Sequence, residues 1–447
     1  MSYIIPFLPL ATLLTLALIT RKMAESMIAA TAVGLVLLHK TNIVQGTLDS
    51  FYETFANTSF HFCVLIVFCF GIVVKLFQES GGLLGFAEFM KRFIKGRRST
   101  LLLSWLISVA LFVDEYLNAL TVGFSMSKIA DSHLIPREHL AMQVHMMACS
   151  LCIAVPLTSW TAFTISITEQ YDIGLTEYIK AVPMMVFPLM SIVLCLLLAL
   201  GTFPRVGSLK KAYQRVDNGG QTYVPEGDEK PLVDFGKPDE NNITSPLNLF
   251  LPLLCVIGGT LYFDKDLAIG LILAIVCQFI VYVLPRKMSV SRFFDCFFEG
   301  AGSMLMINII IFFGFTLSSL NEQLGLFDMV ISLVGSTLPV AFVPVLVFLI
   351  VGFCVFASGS CWIIMLITMP IFLPLAAATG APMLLTLAAL MSGVGAGYTL
   401  CFYADAVFLT TASTGVANLT IIKTIMPYAV VMTAVSAGFY LIMGIVM

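Results

Sequence analysis

Long apolar runs take up most of this chain, and each of them has to be buried in a bilayer or in a protein core. Hydrophobic residues make up 59% of the sequence and charged residues 11%, a balance typical of polytopic membrane proteins. An α-helix needs about 20 apolar residues to cross the hydrocarbon layer. The runs that qualify as predicted spans lie at residues 3–20, 24–38, 60–78, 180–201, 246–263, 267–284, 303–320 and 424–446. The sequence therefore predicts an all-α polytopic membrane protein.

Four further apolar stretches are interrupted by polar residues or by glycine. Residues 99–131 and 340–379 carry polar residues near their midpoints, which predicts two re-entrant hairpins. Residues 139–168 and 382–415 have polar or glycine-rich centres, which predicts broken helices. The complete prediction is about ten transmembrane helices together with two hairpins and two broken helices.

Two adjacent carboxylates, Asp114 and Glu115, lie near the middle of the first predicted hairpin. An ionised carboxylate at the bilayer centre costs about 2.5–3.5 kcal/mol on insertion scales, so such side chains face a cavity, a cation or a partner. The resulting hypothesis is an ion site inside the membrane. The alternative is that the chain breaks at this point and the pair reaches interfacial water.

The two halves of the sequence share landmarks in the same order. Residues 51–55 (FYETF) correspond to residues 293–297 (FFDCF), and Gly71 corresponds to Gly314. An odd number of crossings in each half would insert the second half upside down, as in the inverted repeats of many transporters. The predicted division is a first membrane repeat over residues 1–202, a flexible cytoplasmic linker over 203–245 and an inverted second repeat over 246–447.

Lysine and arginine sort to one side of this predicted topology. In the loops, the opposite side collects Lys40, Lys180 and Lys265 and little else. By the positive-inside rule the basic side is cytoplasmic, so both termini are predicted to be extracytoplasmic. The predicted location is the bacterial inner membrane, which the chain crosses many times.

Residues 112–123 (FVDEYLNALTVG) resemble the acidic-acidic-Tyr-x-Asn motif of the NhaC-type sodium/proton antiporter family. Residues 358–362 (SGSCW) are similar to a Thr-Gly-Thr-Ser-Trp stretch of that family, and Asp405 lies where the family places an Asp. The resemblance implies the ion-transporter fold, with hairpin tips and broken helices meeting at mid-membrane. The chain departs from the family at Glu115, at Cys361 and at residues 402–406, where hydroxyl groups around the Asp are missing.

The candidate site follows from the ligands that sodium prefers. Broken helices offer free backbone carbonyl groups beside carboxylates, and both coordinate sodium in transporters. The candidate ion- or substrate-binding residues are Asp114, Glu115, Asn118, Thr158, Ser159, Ser358, Ser360 and Asp405. Sodium is predicted to bind at Asp114 and Asn118. His145 is either a proton relay or a core histidine with one satisfied ring nitrogen.

Two classes of function fit these features. The first is a secondary transporter that exchanges sodium for protons, and the second is a sodium- or proton-coupled carrier of a small organic solute such as an amino acid or a carboxylate. An enzyme is not predicted, because no nucleophile with a base or a metal-ligand set is visible. No cofactor is predicted beyond the sodium ion or protons. The predicted partners are the lipid bilayer and the small ion or solute, with a homodimer left open and no nucleic acid.

Overall fold

The fold is built from α-helices. A computed structural model describes residues 5–20, 23–224, 244–263, 267–326, 329, 339–359, 361–402 and 404–447. These residues form α-helices and short 3₁₀ turns, without a β-strand among them, which confirms the predicted all-α fold. The helices before the linker are α1 (Leu8–Thr20), α2 (Met23–His39), α3 (Ile43–Ala56), α4 (Thr58–Glu79), α5 (Gly82–Lys91), α6 (Arg97–Ala110), α7 (Glu115–Ser132), α8 (Arg137–Ala154), α9 (Ser159–Thr168), α10 (Leu175–Ala181) and α11 (Val186–Leu200).

The second half repeats the order of elements found in the first. The linker contains α12 (Gly207–Asp217), and the helices after it are α13 (Leu247–Tyr262), α14 (Leu267–Val283), α15 (Val290–Ser303), α16 (Leu305–Gln323), α17 (Val343–Ser358), α18 (Cys361–Thr379), α19 (Met383–Leu400), α20 (Asp405–Thr414) and α21 (Asn418–Val446). Helix α4 precedes the pairs α6–α7 and α8–α9, as α16 precedes α17–α18 and α19–α20. This order agrees with a duplication, whereas the inverted insertion of the second half stays a prediction.

Several of the described helices are long and apolar enough to cross a membrane. Four stretches qualify on their own: Arg137–Tyr171, Val340–Ala357, Met383–Leu400 and Asn418–Val446. Two bent pairs qualify when each is taken as one span: Glu25–His39 with Ile43–Ala56, bent by 117°, and Leu175–Met184 with Val186–Leu200, bent by 61°. The full number of spans stays a prediction.

The breaks in the helices lie where the sequence predicts them. In the first predicted hairpin, α6 and α7 are separated by residues 111–114, and in the second α17 ends before Gly359. Gly359 has a φ of 73°, a left-handed conformation that glycine adopts without strain. The two predicted broken helices are α8 with α9 and α19 with α20. Pro156 lies in the first of these breaks. Proline has no backbone N–H to donate and its ring clashes with the preceding helical turn, so α8 cannot continue through it.

A broken helix of the second half is held against the first hairpin. Helix α20 packs on α7 and α8. The approach requires glycine at position 123, because a Cβ there would lie 2.0 Å from Ser413 Oγ. Ser413 Oγ donates a hydrogen bond to Ala119 O (2.9 Å), and Ser127 Oγ donates one to Ser413 O (3.3 Å). Small residues and interhelical hydrogen bonds of this kind stabilise helix packing in membranes.

The prediction of a flexible linker is wrong for residues 207–224. Residues 207–217 form α12, which packs against α8 and α21. Its buried residues are Leu209, Ala212, Tyr213 and Val216. That spacing places them on one face of an amphipathic helix, so burial of an apolar face fixes this part of the linker. Residues 225–243 of the predicted linker lie outside the described residues.

Polar contacts also hold the linker to the ends of the first-half helices. Arg215 forms an ion pair with Glu138 of α8 at 2.8 Å. Asp217 forms one with Arg97 of α6 at 2.7 Å. Thr222 Oγ1 donates a hydrogen bond to an Asp131 carboxylate oxygen of α7 (2.7 Å). The described part of the linker therefore joins α6, α7 and α8 to one another.

Candidate ion-binding site

Asp114 lies at the tip of the first hairpin and caps helix α7. Its Oδ1 accepts a hydrogen bond from the backbone N–H of Tyr116 (2.9 Å), and its side chain is buried. The first turn of a helix leaves backbone N–H groups without partners and carries a partial positive charge, so a carboxylate is stabilised there. The local sequence thus places a buried carboxyl group at the start of α7, and its role in an ion site stays a prediction.

Asn118, one turn further along α7, presents an oxygen atom that has no hydrogen-bond donor. Its Nδ2 donates to Ser108 O (2.7 Å) and to Leu111 O (3.4 Å), which fixes the orientation of the amide group. Its Oδ1 is buried and accepts no hydrogen bond from the described residues, and the same holds for Ser108 Oγ. A buried polar atom without a partner costs about 1–3 kcal/mol. A bound cation would remove this cost, since neutral oxygens and carboxylates are the ligands that hard cations prefer.

The break between α8 and α9 meets the hairpin tip. Ser159 Oγ donates to Asp114 Oδ2 (3.4 Å), and the Ser159 backbone N–H donates to Val113 O (3.2 Å). Thr158 is next to this contact in sequence, but its hydroxyl group makes hydrogen bonds within the break and at the start of α9. Thr158 Oγ1 donates to Cys152 O (2.6 Å) and accepts from the backbone N–H of Thr161 (3.1 Å) as the cap of α9. Ser159 therefore contacts the Asp114 carboxylate, whereas the Thr158 hydroxyl group caps α9, and the binding roles of both residues stay predictions.

Glu115 connects the hairpin of the first half to helix α19 of the second half. Its side chain is almost completely buried, and its Oε1 accepts a hydrogen bond from the Tyr398 hydroxyl group (3.2 Å). The sequence interpretation did not include Tyr398 among the site residues. A signal was present, because a tyrosine inside an apolar helix usually finds a hydrogen-bond partner when it is buried.

Aromatic side chains from both halves pack beside the two carboxylates. Trp160 contacts Trp362 with ring centroids 6.0 Å apart and Tyr398 at 5.3 Å, and Phe163 contacts Trp362 at 4.8 Å. The indole N–H groups of both tryptophans are buried and donate to no acceptor among the described residues. The start of α18 therefore meets the start of α9, next to the first hairpin tip.

For the predicted site residues of the second half, the structure describes the backbone positions of Ser358 and Asp405 only. Ser358 is the last residue of α17, and Asp405 is the first residue of α20, which packs on α7 and α8. Ser360 lies outside the described residues. The binding roles of Ser358, Ser360 and Asp405 stay predictions.

His145 lies on α8 and is fully buried. Its Nε2 is 3.2 Å from the backbone oxygen of Thr399, at the end of α19. This hydrogen bond joins the two broken helices and gives the ring a structural partner. A proton relay through His145 stays a prediction.

Comparisons with known proteins agree on the kind of molecule. A profile of the Na⁺/H⁺ antiporter family matches residues 151–445. A Haemophilus influenzae protein described only as "Uncharacterized protein" is 24% identical over 482 aligned positions, which cover 98% of this chain and 90% of that protein.

Two solved structures are similar to this fold. The Alcanivorax borkumensis YdaH transporter, reported to have an unusual topology, has a TM-score of 0.61 at 12% identity, with 91% of this chain and 89% of that chain covered. Neisseria gonorrhoeae MtrF has a TM-score of 0.62 at 14% identity, with 91% and 85% covered. At such identities the likeness shows the fold alone.

The family match spans more than half of the chain, including the second half and the break at Ser159, but it begins after the first hairpin. The NhaC-type resemblance of residues 112–123 therefore stays a resemblance. The family and the two similar structures consist of membrane transporters, which confirms the prediction that the chain is not an enzyme. The chain belongs to the Na⁺/H⁺ antiporter family and is an integral, multi-pass secondary transporter.

Proposed function

We propose that this transporter exchanges sodium for protons at a site formed by Asp114, Asn118 and Ser159, with Glu115 beside it. The observation that carries the proposal is the buried Asn118 Oδ1, which lacks a donor among the described residues and lies one helical turn from a buried carboxylate. The family match supports sodium as the cargo. Coupling follows from charge, because two adjacent carboxylates in a poorly solvated site repel each other and one takes up a proton when the cation leaves.

The proposed exchange also affects a contact between the two halves. Glu115 Oε1 accepts a hydrogen bond from the Tyr398 hydroxyl group, and that hydrogen bond joins α7 to α19. Protonation of Glu115 weakens this bond, because hydrogen bonds to an ionised acceptor are the stronger ones. Replacement of sodium by a proton would therefore weaken the hydrogen bond between Glu115 and Tyr398, which connects the two halves. Ser358, Ser360 and Asp405 are proposed to complete the site from the second half, and His145 to deliver protons to it.

Sodium-dependent proton movement in proteoliposomes tests the proposal. With the purified protein in vesicles that enclose a pH-sensitive dye, an external sodium pulse should make the interior more alkaline, and an equal potassium pulse should not. Uptake of radioactive sodium driven by an outward proton gradient should show the same exchange. A protein that binds sodium but moves no protons would contradict antiport.

A second candidate function is sodium-coupled transport of an organic solute. The two indole N–H groups, which have no acceptor among the described residues, favour it, because they can donate to a carboxylate or carbonyl group of a solute that lies beside Trp160 and Trp362. MtrF, whose fold is similar, is described as illuminating a class of antimetabolite efflux pumps. An aromatic-walled site next to a cation site suits a small molecule that carries a negative charge.

Trp362→Phe separates the two candidates. The change keeps the aromatic ring and removes the N–H donor, so a solute carrier should lose about tenfold in solute affinity while sodium affinity persists. Binding of radiolabelled amino acids and dicarboxylates, with and without sodium, measures both. Trp105→Phe is the matched control, since the Trp105 N–H donates to Ile192 O (3.1 Å) outside the site. The solute function fails if no compound binds or if Trp362→Phe leaves solute affinity unchanged.

The proposed orientation places the linker in the cytoplasm of a bacterial cell, inside the inner membrane. Asn218 is exposed at the end of α12, so Asn218→Cys should react with a membrane-impermeant maleimide only after the cells are opened. Glu169→Cys, which is exposed after α9, should react in intact cells. Wild-type protein gives the background, because its described cysteines are buried or half-buried. Labelling of Asn218→Cys in intact cells would reverse the orientation.

A further inference from the structure

An apolar cavity lies between α11 and α21, on the side of the molecule where the linker begins. Its volume is about 530 Å³, within the range of ligand-binding pockets. Its walls include Leu189, Val193, Leu197, Val431 and Met432. Val193 and Val431 are 52% and 60% exposed, so the cavity opens towards the surface of two helices that are predicted to span the membrane. None of its lining residues belongs to the proposed ion site.

The end of this cavity next to the linker is closed by residues 203–206. The Tyr428 hydroxyl group accepts a hydrogen bond from the Val206 backbone N–H (2.9 Å) and donates one to Pro204 O (3.2 Å). Both hydrogen bonds hold the chain after α11 across the base of α21. Residues 203–206 therefore form a wall at this end of the cavity.

Four basic residues lie on the chain segments next to this end, although none of them is among the residues that line the cavity. Arg205 lies between two residues of the cavity wall, and its guanidinium group is 3.5 Å from the centre of the Tyr213 ring. Arg98 lies at the end of α11, since a Cβ on Gly201 would be 3.6 Å from its Nε. Lys210 and Lys211 are exposed on the adjacent α12. In the described parts of the chain none of these four forms an ion pair with a carboxylate, so their charge is available to an anion.

We propose that this cavity binds one anionic phospholipid, with an acyl chain between α11 and α21 and the phosphate near Arg98 and Arg205. An apolar cavity that opens to the bilayer and has cations at one end matches a molecule with a hydrocarbon tail and a negative head. Basic pockets between membrane helices bind anionic head groups for this reason, at about 1 kcal/mol for each Lys or Arg near the surface. The proposal rests on the fold and on its place in the membrane, and not on the cargo.

The lipid has structural neighbours that matter for transport. Helix α11 packs against α8 and α19, and α21 packs against the same two helices, which end at the breaks before α9 and α20. Ser191 Oγ donates to Met432 Sδ (3.9 Å) across the interface beneath the cavity. An occupant of the cavity would therefore support the helices that hold both broken helices in place.

Native mass spectrometry of the purified protein, titrated with phosphatidylglycerol or with phosphatidylcholine of the same chains, tests the proposal. Wild-type protein should bind one phosphatidylglycerol more tightly than phosphatidylcholine. The double variant Arg98→Gln/Arg205→Gln should lose about thirtyfold in phosphatidylglycerol affinity and retain its phosphatidylcholine affinity. Arg286→Gln, an exposed charge change after α14, on a part of the chain that does not line the cavity, should have no effect.

Filling the cavity gives the second arm of the test. The double variant Val193→Trp/Val431→Trp should lose binding of both lipids, because the indole rings occupy the acyl-chain volume. Val276→Trp on α14, where Val276 is 50% exposed, is the matched control for an added tryptophan on the outer surface. Equal affinity of wild type for the two lipids, or unchanged phosphatidylglycerol affinity in the filled variant, would overturn the proposal.

Discussion

Asp114→Asn is expected to abolish sodium-dependent proton movement while the protein stays folded. The amide group of Asn has the shape of the carboxylate. Its oxygen can still accept a hydrogen bond from the Tyr116 backbone N–H, and the group can still contact Ser159, so the cap of α7 persists. What is lost is the negative charge that binds the cation. Removing one member of a buried charge pair costs about 3 kcal/mol or more, a factor of at least roughly 100 in sodium affinity.

Two measurements check this expectation. Isothermal titration with sodium should give no binding to the Asp114→Asn protein under conditions where wild type is saturated, and proteoliposomes should show no alkalinisation after a sodium pulse. Asp172→Asn is the control, because Asp172 is exposed and left-handed (φ 58°), a conformation that Asn tolerates. A thermal unfolding midpoint near that of wild type would show that the fold is intact. Exchange at the wild-type rate would remove Asp114 from the site.

The breaks of the helices could be predicted because nearby residues cause them. Pro156 cannot continue α8, and Thr158 caps the helix that follows. Asp114 caps α7 in the same way, after a run that is otherwise apolar. Gly359 allows the left-handed turn after α17. In each case the signal and its effect lie within a few residues of each other, so a single sequence was enough.

The contacts between the halves could not be predicted in this way. Glu115 and Tyr398 are 283 residues apart, and no local pattern determines which side of α19 faces α7. The same is true of Gly123 and Ser413, whose contact depends on where α20 packs. The contribution of the second half to the site would depend on long-range contacts of this kind, so it stays a prediction.

The linker helix shows a different kind of error. Residues 209, 212, 213 and 216 have helical spacing, so the amphipathic face of α12 was visible in the sequence. The polar and glycine-rich composition of residues 203–245 as a whole hid it. Composition averaged over a long segment does not reveal a single apolar face that packs against other helices. Tyr213 is part of that face, and its hydroxyl group forms a hydrogen bond with His139 Nδ1 (2.7 Å).

Glu115→Gln is expected to weaken sodium binding strongly while leaving the contact between the halves in place. At an effective dielectric constant of about 20, unit charges about 6 Å apart interact by about 3 kcal/mol, which corresponds to roughly 100-fold in affinity. The Gln side-chain oxygen can still accept a hydrogen bond from the Tyr398 hydroxyl group, as Glu115 Oε1 does at 3.2 Å. Proton release on sodium binding, measured in weakly buffered solution, should also fall, because one of the two titratable carboxylates is gone.

Tyr398→Phe is the matched control, since it removes the hydrogen bond between α7 and α19 and keeps both charges. Its sodium affinity should stay within about fivefold of wild type, because the net contribution of one hydrogen bond is about 1 kcal/mol. Its exchange rate should nevertheless change, since the contact that couples the site to the second half is missing. If Glu115→Gln binds sodium and releases protons like wild type, the proton carrier is another residue. If instead Tyr398→Phe loses sodium affinity as strongly as Glu115→Gln does, then the position of α19, rather than the charge of Glu115, determines sodium binding.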